Sequence, residues 1–279
     1  MRSPSVLVAA LSIALVAATS LAAGAPAGAA ALPASSKATS TVPDGRTMPK
    51  TNVTTNGRTW KQTFRAGFDS AAPVGKFAAT YPRIGLYDGF TDTTGKGKYA
   101  PSKVLSVKGG VLDFALHTEK GQPLVAAIMP DGYAPHKTGR VSIRYKTTKT
   151  QGYKFSTILW PSSDDWNEGE IDWPEADLGA RPRPASAVPG SWTPLGMRFE
   201  PGKETFAPSD STGWHVATTE WDKGIVRFYW DGKLVSSTTK AVPTTAFRVT
   251  MQAETTTNGG AIPASAVGHV SVDWIAIWN

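Results

Sequence analysis

The sequence predicts an all-β domain, a sandwich or a barrel of many short strands. Three observations lead there. Apolar residues recur at every second position in several short runs. A tight-turn dipeptide, Asp231-Gly232, separates two β-rich runs. No long stretch between Trp60 and Asn279 carries a helical period.

The elements follow in chain order. Arg2 precedes an apolar run from Val6 to Ala18, broken only by Ser12, and Ala27-Gly28-Ala29 offers a small-residue cleavage site. Residues 1–29 therefore read as a secretory signal peptide, too short in its apolar run for a membrane span. Residues 30–56 are mostly Ala, Ser, Thr, Pro and Asn, a composition that buries no core and reads as a flexible leader. A single folded domain is expected over 57–279, opening at Trp60 and Phe64. "GGVLDFALHT" alternates Leu112, Phe114 and Leu116 against Asp113, Ala115 and His117. "GRVSIRYKT" does the same with Val141, Ile143 and Tyr145. Asp231-Gly232 suits the two positive φ angles of a type I′ hairpin turn. "GHVSVDWIAIWN" closes the chain, with Val270, Val272, Trp274, Ala276 and Trp278 expected on one face.

Composition narrows the chemistry. The chain has 279 residues and no cysteine, which excludes disulfides and thiol catalysis. Its formal charge is +7, and the signal segment contributes only Arg2 to it. No Lys/Arg block tracks nucleic acid. A basic surface suits anionic polysaccharide or cell wall, but scattered lysines on a soluble protein are the preferred account. A secreted, extracellular monomer is expected, with no nucleic-acid partner and none in the membrane after signal cleavage. The four histidines, 117, 136, 215 and 269, show no metal spacing.

The chemistry concentrates in "GEIDWPEAD", residues 169–177. "FSTILWP" reads as a strand ending at Trp160-Pro161, "SSDDWNEG" as a turn, and "EIDWPE" as the next strand. Alternation places Glu170 and Asp172 on one face. A β-bulge at Trp173-Pro174 counts two residues as one and returns Glu175 to that face; a bulge is also one of the few strand positions that tolerates proline. Glu170 and Glu175 then stand about four strand steps apart, roughly 13 Å between Cα atoms. Side chains leaning together bring the carboxyls to about 5–6 Å, the separation of a retaining glycosidase. Three like charges in a row cannot all ionise cheaply, so at least one proton is held to higher pH. A solvated face or a calcium loop also collects acids. An alternating acid row flanked by Trp160, Trp166 and Trp173 is unusual for a plain surface.

These residues resemble the E-x-D-x-x-E signature of glycoside hydrolase family 16, the laminarinase and lichenase group. "YAPSKVLSVKGGVLDFAL", "TGRVSIRYKT", "GWHVATTEWDKGIVRFYWDGKLV" and "VSVDWIAIW" resemble further family segments in the expected order. The resemblance implies a β-jelly-roll sandwich of the concanavalin A-like kind, with a concave sugar-binding cleft. It implies retaining endo-hydrolysis of a β-linked polysaccharide, a β-1,3- or β-1,3-1,4-glucan, without a required cofactor. By position Glu170 is the nucleophile, Glu175 the acid/base and Asp172 their electrostatic helper. Trp160 and Trp166 are cleft tryptophans whose faces stack on sugar. Gln252 and Glu254 alternate onto one face of the strand "MQAET" and are candidates for sugar hydroxyls. Trp230, Trp274 and Trp278 are assigned to the core. Asp273 matches a calcium ligand of some members, and an outward polar residue explains it as well. Where many members carry a cleft histidine, "PLGMRFEP" presents Met197 and Arg198, after the basic loop "GARPRPASAVPGSW"; this bears on substrate more than on chemistry.

Two other readings compete. A jelly-roll carbohydrate-binding protein without activity would be expected to lack one of the three acids, and all are present. A polysaccharide lyase needs a Tyr or His base, for which the acid row is a poor tool. Transglycosylation shares the covalent intermediate and is not separable from hydrolysis at this level.

Overall fold

The computed structural model describes residues 47–188, 199–256 and 261–279, with the backbone alone at 192–193 and 196–197. The expected signal segment and most of the expected leader lie outside the described residues.

Nineteen strands are defined among these residues. β1 (Val53–Thr55), β2 (Arg58–Trp60) and β3 (Gln62–Ala66) come first. β4 (Gly85–Leu86), β5 (Lys98–Tyr99) and β6 (Leu105–Lys108) follow. β7 (Val111–Glu119) and β8 (Gln122–Met129) lead to β9 (Gly139–Thr147) and β10 (Tyr153–Pro161). β11 (Glu170–Asp177) and β12 (Arg183–Ala187) come next, then the short pair β13 (Trp192–Thr193) and β14 (Gly196–Met197). β15 (His215–Asp222), β16 (Ile225–Trp230), β17 (Lys233–Thr238), β18 (Phe247–Thr255) and β19 (Gly268–Trp278) complete the set. Two four-residue helices, α1 (Phe77–Thr80) and α2 (Pro101–Val104), and one 3-10 turn are the only helical elements among the described residues.

The strands form two layers. The cleft layer runs β12-β11-β10-β18-β8, with β4 on the far side of β8. The second layer runs β17-β16-β15-β9-β19-β7, with β6 on β7 and β3 also on β19. The β7–β8 hairpin joins them. This is the predicted jelly-roll sandwich. The predicted alternations hold: Leu112, Phe114, Leu116, Val141, Ile143 and Tyr145 are all buried in the core. They meet Phe155, Ile171, Val249 and Met251 from the cleft layer. Each such side chain contributes roughly 1.5–3 kcal/mol when removed from water. Asp231 (φ 49°) and Gly232 (φ 75°) form the expected turn, with Trp230 paired to Lys233 across it.

The last strand departs from its expected alternation. Its register on β9 shifts between Val272 and Trp274, making Asp273 an extra residue. Val270, Val272, Ile275 and Ile277 consequently face the core, while Ala276 and Trp278 join a separate cluster with Val53 and Trp60. Trp230, Trp274 and Trp278 are buried, as assigned.

The outward stripe requires a cover, and the β1–β2 hairpin supplies it. Trp278 Nε1 donates to Thr51 O (3.0 Å), and Trp60 Nε1 donates to Thr55 Oγ1 (2.9 Å). Beneath the hairpin Arg140 is ion-paired with the fully buried Glu220, which also accepts from Thr55 and Asn56. Packed chain thus begins before the boundary at 57 that composition places. Residues 47–56 carry little apolar surface of their own and order by covering someone else's.

Candidate active site

The acid row is built by β11. Asp172 pairs with Ile158 on β10 and Ala185 on β12, and Glu175 pairs with Ser156 and Arg183. Three steps along β11 therefore match two on each neighbour. This is the predicted bulge, and it turns Glu175 to the face of Glu170 and Asp172. The Trp173-Pro174 peptide within it is cis. Trp173 points the other way, into the second layer, where its Nε1 donates to Tyr229 O (3.0 Å). Gly169 precedes the row at φ 121°, and a Cβ there would sit 2.6 Å from Ala187 O. Only glycine fits that approach and that backbone angle.

Trp166 lies on the 3-10 turn Trp166–Glu168, whose N-cap Asp165 accepts from Asn167 N. The turn brings Trp166 Nε1 to Glu170 Oε2 at 2.7 Å. Trp160 stands opposite Arg248 of β18 and donates from Nε1 to Asp164 Oδ1 (3.2 Å). Asp164 in turn is ion-paired with Arg248. Gln252 lies opposite Ser156 on the same floor. Ser156 Oγ, Thr250 Oγ1, Gln252 Oε1 and Asp172 Oδ1 are buried there without a hydrogen-bond partner in the protein.

Glu254 departs from its expected role. It shares the face of Gln252 but is fully buried. Tyr99 OH and Thr93 Oγ1 donate to its two oxygens, and Lys154 Nζ lies 3.5 Å away. Its carboxylate is spent on these partners, so it is not a sugar contact. Lys154 is a member of the site that no sequence motif marks. The signal was available: Lys154 alternates with Ser156, Ile158 and Trp160 on β10, while Tyr153 and Phe155 enter the core.

The electrostatics follow from burial. Asp172 is 4% exposed. Burial, with Glu170 and Glu175 beside it, holds its carboxyl well above the usual carboxylate range, and it shares a hydrogen bond with Glu170. Burial also pushes Glu170 up, to about 7, aided by repulsion from Glu175 and opposed by Trp166, Lys154 and Asp172. Both buried acids are thus held toward the protonated form, and they share one hydrogen bond. Glu175 is more open, its side chain 37% exposed, with Lys154 Nζ 3.8 Å from Oε1. Two carboxyls on one face of the sheet, one ionisable near neutrality and hydrogen-bonded to a third, can serve nucleophilic and proton-transfer chemistry.

Asp273 is ion-paired with Arg144 at 2.6 Å, which occupies the carboxylate considered for calcium. No group of three or more His, Asp or Glu among the described residues could hold a metal. Arg198 lies outside the described residues, and of Met197 only the backbone is described.

Among curated proteins none matches the chain by sequence. Solved structures do match by fold. The laminarinase from Rhodothermus marinus superposes with TM-score 0.63 at 18% identity, covering 79% of this chain and 97% of that one. The endo-β-1,3-glucanase from Pyrococcus furiosus gives 0.61 at 16%, covering 83% and 98%. β-Agarase A in complex with oligoagarose gives 0.62 at 15%, covering 81% and 94%. The sequence model of glycosyl hydrolases family 16 matches residues 133–276, a span that holds the acid row and its neighbours β10, β12 and β18. That match covers more than half of the chain, and the protein belongs to glycosyl hydrolase family 16 and is a glycoside hydrolase.

Proposed function

We propose that the protein is a secreted, retaining endo-glycosidase that cuts internal bonds of a β-linked glucan, β-1,3 or mixed β-1,3-1,4. One observation carries the reading: the bulge in β11 brings Glu175 to the face of Glu170 and Asp172. Glu170 attacks the anomeric carbon while Glu175 gives its proton to the departing glycosidic oxygen. Glu175 then takes a proton from water, which displaces Glu170 from the sugar and restores the first configuration. Asp172 donates to Glu170 and fixes the carboxylate for attack, and Trp166 Nε1 donates to its Oε2. The unpaired polar atoms of the floor suit sugar hydroxyls. A glucan is the substrate named for the laminarinase and endo-β-1,3-glucanase neighbours. Secretion rests on the charge and hydropathy pattern of residues 1–29. No helix among the described residues is long and apolar enough to cross a membrane.

The test incubates the mature protein with laminarin, lichenan, agarose, carrageenan and xyloglucan. Release of oligosaccharides from laminarin or lichenan is expected, with the β-anomer appearing first by NMR. E170Q is expected to abolish release, and E175Q to slow it by about 10²–10⁴-fold. An α-anomer first, or full turnover in E170Q, would refute the assignment.

A further inference from the structure

Lys154 stands near the start of β10, on the face of the sheet that carries the acid row. Its register partners are Asp177 on β11 and Glu254 on β18. Nζ lies 3.5 Å from Glu254 Oε2 and 3.8 Å from Glu175 Oε1. The side chain is 22% exposed. Glu254 is itself fixed by Tyr99 and Thr93 and takes no part in the acid row. The ammonium thus has a rigid anchor on one side and the acid row on the other. Ordering a lysine side chain costs on the order of 1.5–2 kcal/mol of rotamer entropy, and burying its charge costs more. That expense placed against the reacting carboxyls calls for a role there.

On the assignment of Glu170 and Glu175 proposed above, we propose that Lys154 is a positioning residue for the acid row, an ammonium locked by Glu254 that stands against Glu175 and supplies the row's counter-charge. The charges around it are unequal. β11 presents Glu170, Asp172, Glu175 and Asp177, and β18 presents Glu254. Asp92 lies behind Glu254, bound to Thr255. Arg183 stands opposite Glu175 on β12, and Arg248, further along β18, is paired with Asp164. Burial opposes the charge of Lys154, yet Glu254, Glu175, Asp172 and Glu170 together hold it above the ordinary lysine range. In return Lys154 draws both Glu170 and Asp172 downward against the pull of burial. Glu170 sits at about 7, so it is poised where a lost cation removes the ionised form at neutral pH. An ordinary structural ion pair would behave otherwise: its loss would lower melting temperature and activity at every pH alike.

The test compares wild type, K154M and K154R. One readout is the pH dependence of kcat/KM on the best glucan. The other is a carboxyl ¹³C NMR titration of the free protein, which needs no substrate. In K154M the acidic limb and the Glu170 midpoint are expected to move up by about one unit or more. In K154R both should stay within a few tenths. An unmoved midpoint in folded K154M overturns the inference. If K154M does not fold, the ¹⁵Nζ resonance of Lys154 in wild type decides: an inflection at the Glu170 midpoint is expected, and a flat response through that pH overturns it. A wild type that cleaves no glycan would defeat the proposed function, while the two NMR titrations would still pass or fail Lys154.

Discussion

Burial holds Glu170 at about 7, against an ordinary value of 4.5, so between those pH values the folded chain binds protons that the unfolded chain has released. Stability therefore falls as pH rises through that window, because the folded state must ionise a group it disfavours. Removing the charge should reverse the loss. E170Q is expected to be more stable than wild type at pH 8, by up to about 3 kcal/mol from a gap of roughly 2.5 units, less what partial exposure screens. The gain should vanish below about pH 4, and urea unfolding at the two pH values measures it. A mutant that loses catalysis and gains stability only at high pH would mark this acid as strained for function. The acid row was legible because its two cues are local: alternation along one strand, and a proline that a bulge accommodates. Glu254 was not legible, since Tyr99 and Thr93, which consume its oxygens, come from a distant part of the chain.

At the scale of elements, β19 and the β1–β2 hairpin misled for a common reason. One extra residue at Asp273 exchanges the two faces of β19 and sends Trp278 outward. A bulge leaves no mark in an apolar run whose residues on both faces are apolar, whereas Pro174 marks the one in β11. Because Trp278 faces outward, something must cover it, and composition cannot announce a cover with two buried apolar residues, Val53 and Trp60. The consequence is measurable. W60A removes one of the two tryptophans of this cluster and should cost about 3–5 kcal/mol. A chain beginning at residue 57 lacks Thr55 and Asn56 and leaves two hydrogen bonds of the buried Glu220 unmade. Its melting temperature is expected to fall well below that of a chain beginning at residue 47, while kcat at low temperature stays close to wild type. Equal melting temperatures for the two chains would show that the hairpin is dispensable.

Across the whole molecule the cleft depends on the layer behind it. Glu175 faces the groove because two residues, Trp173 and Pro174, are taken out of the ladder between it and Asp172. Trp173 is the one with an anchor. Its indole enters the opposite layer, edge-on to Trp230 with centroids 5.8 Å apart and to Phe228 at 6.1 Å, and donates to the carbonyl of Tyr229. The second layer thereby fixes where the acid on the first layer's far face can lie. W173F keeps an aromatic ring but loses the N–H and some volume, leaving the buried carbonyl short of a donor. A stability loss of about 1–3 kcal/mol is expected. The larger effect should fall on kcat, by roughly 10²-fold if the carboxyl shifts by about 1 Å, with KM little changed. Leu112→Ala is the comparison: it cuts a core residue of β7 that makes no part of the bulge, and should lose about 2–5 kcal/mol of stability while kcat at low temperature holds. If W173F retained full kcat, the bulge would be held by β10 and β12 alone, and the second layer would serve as support without steering the chemistry.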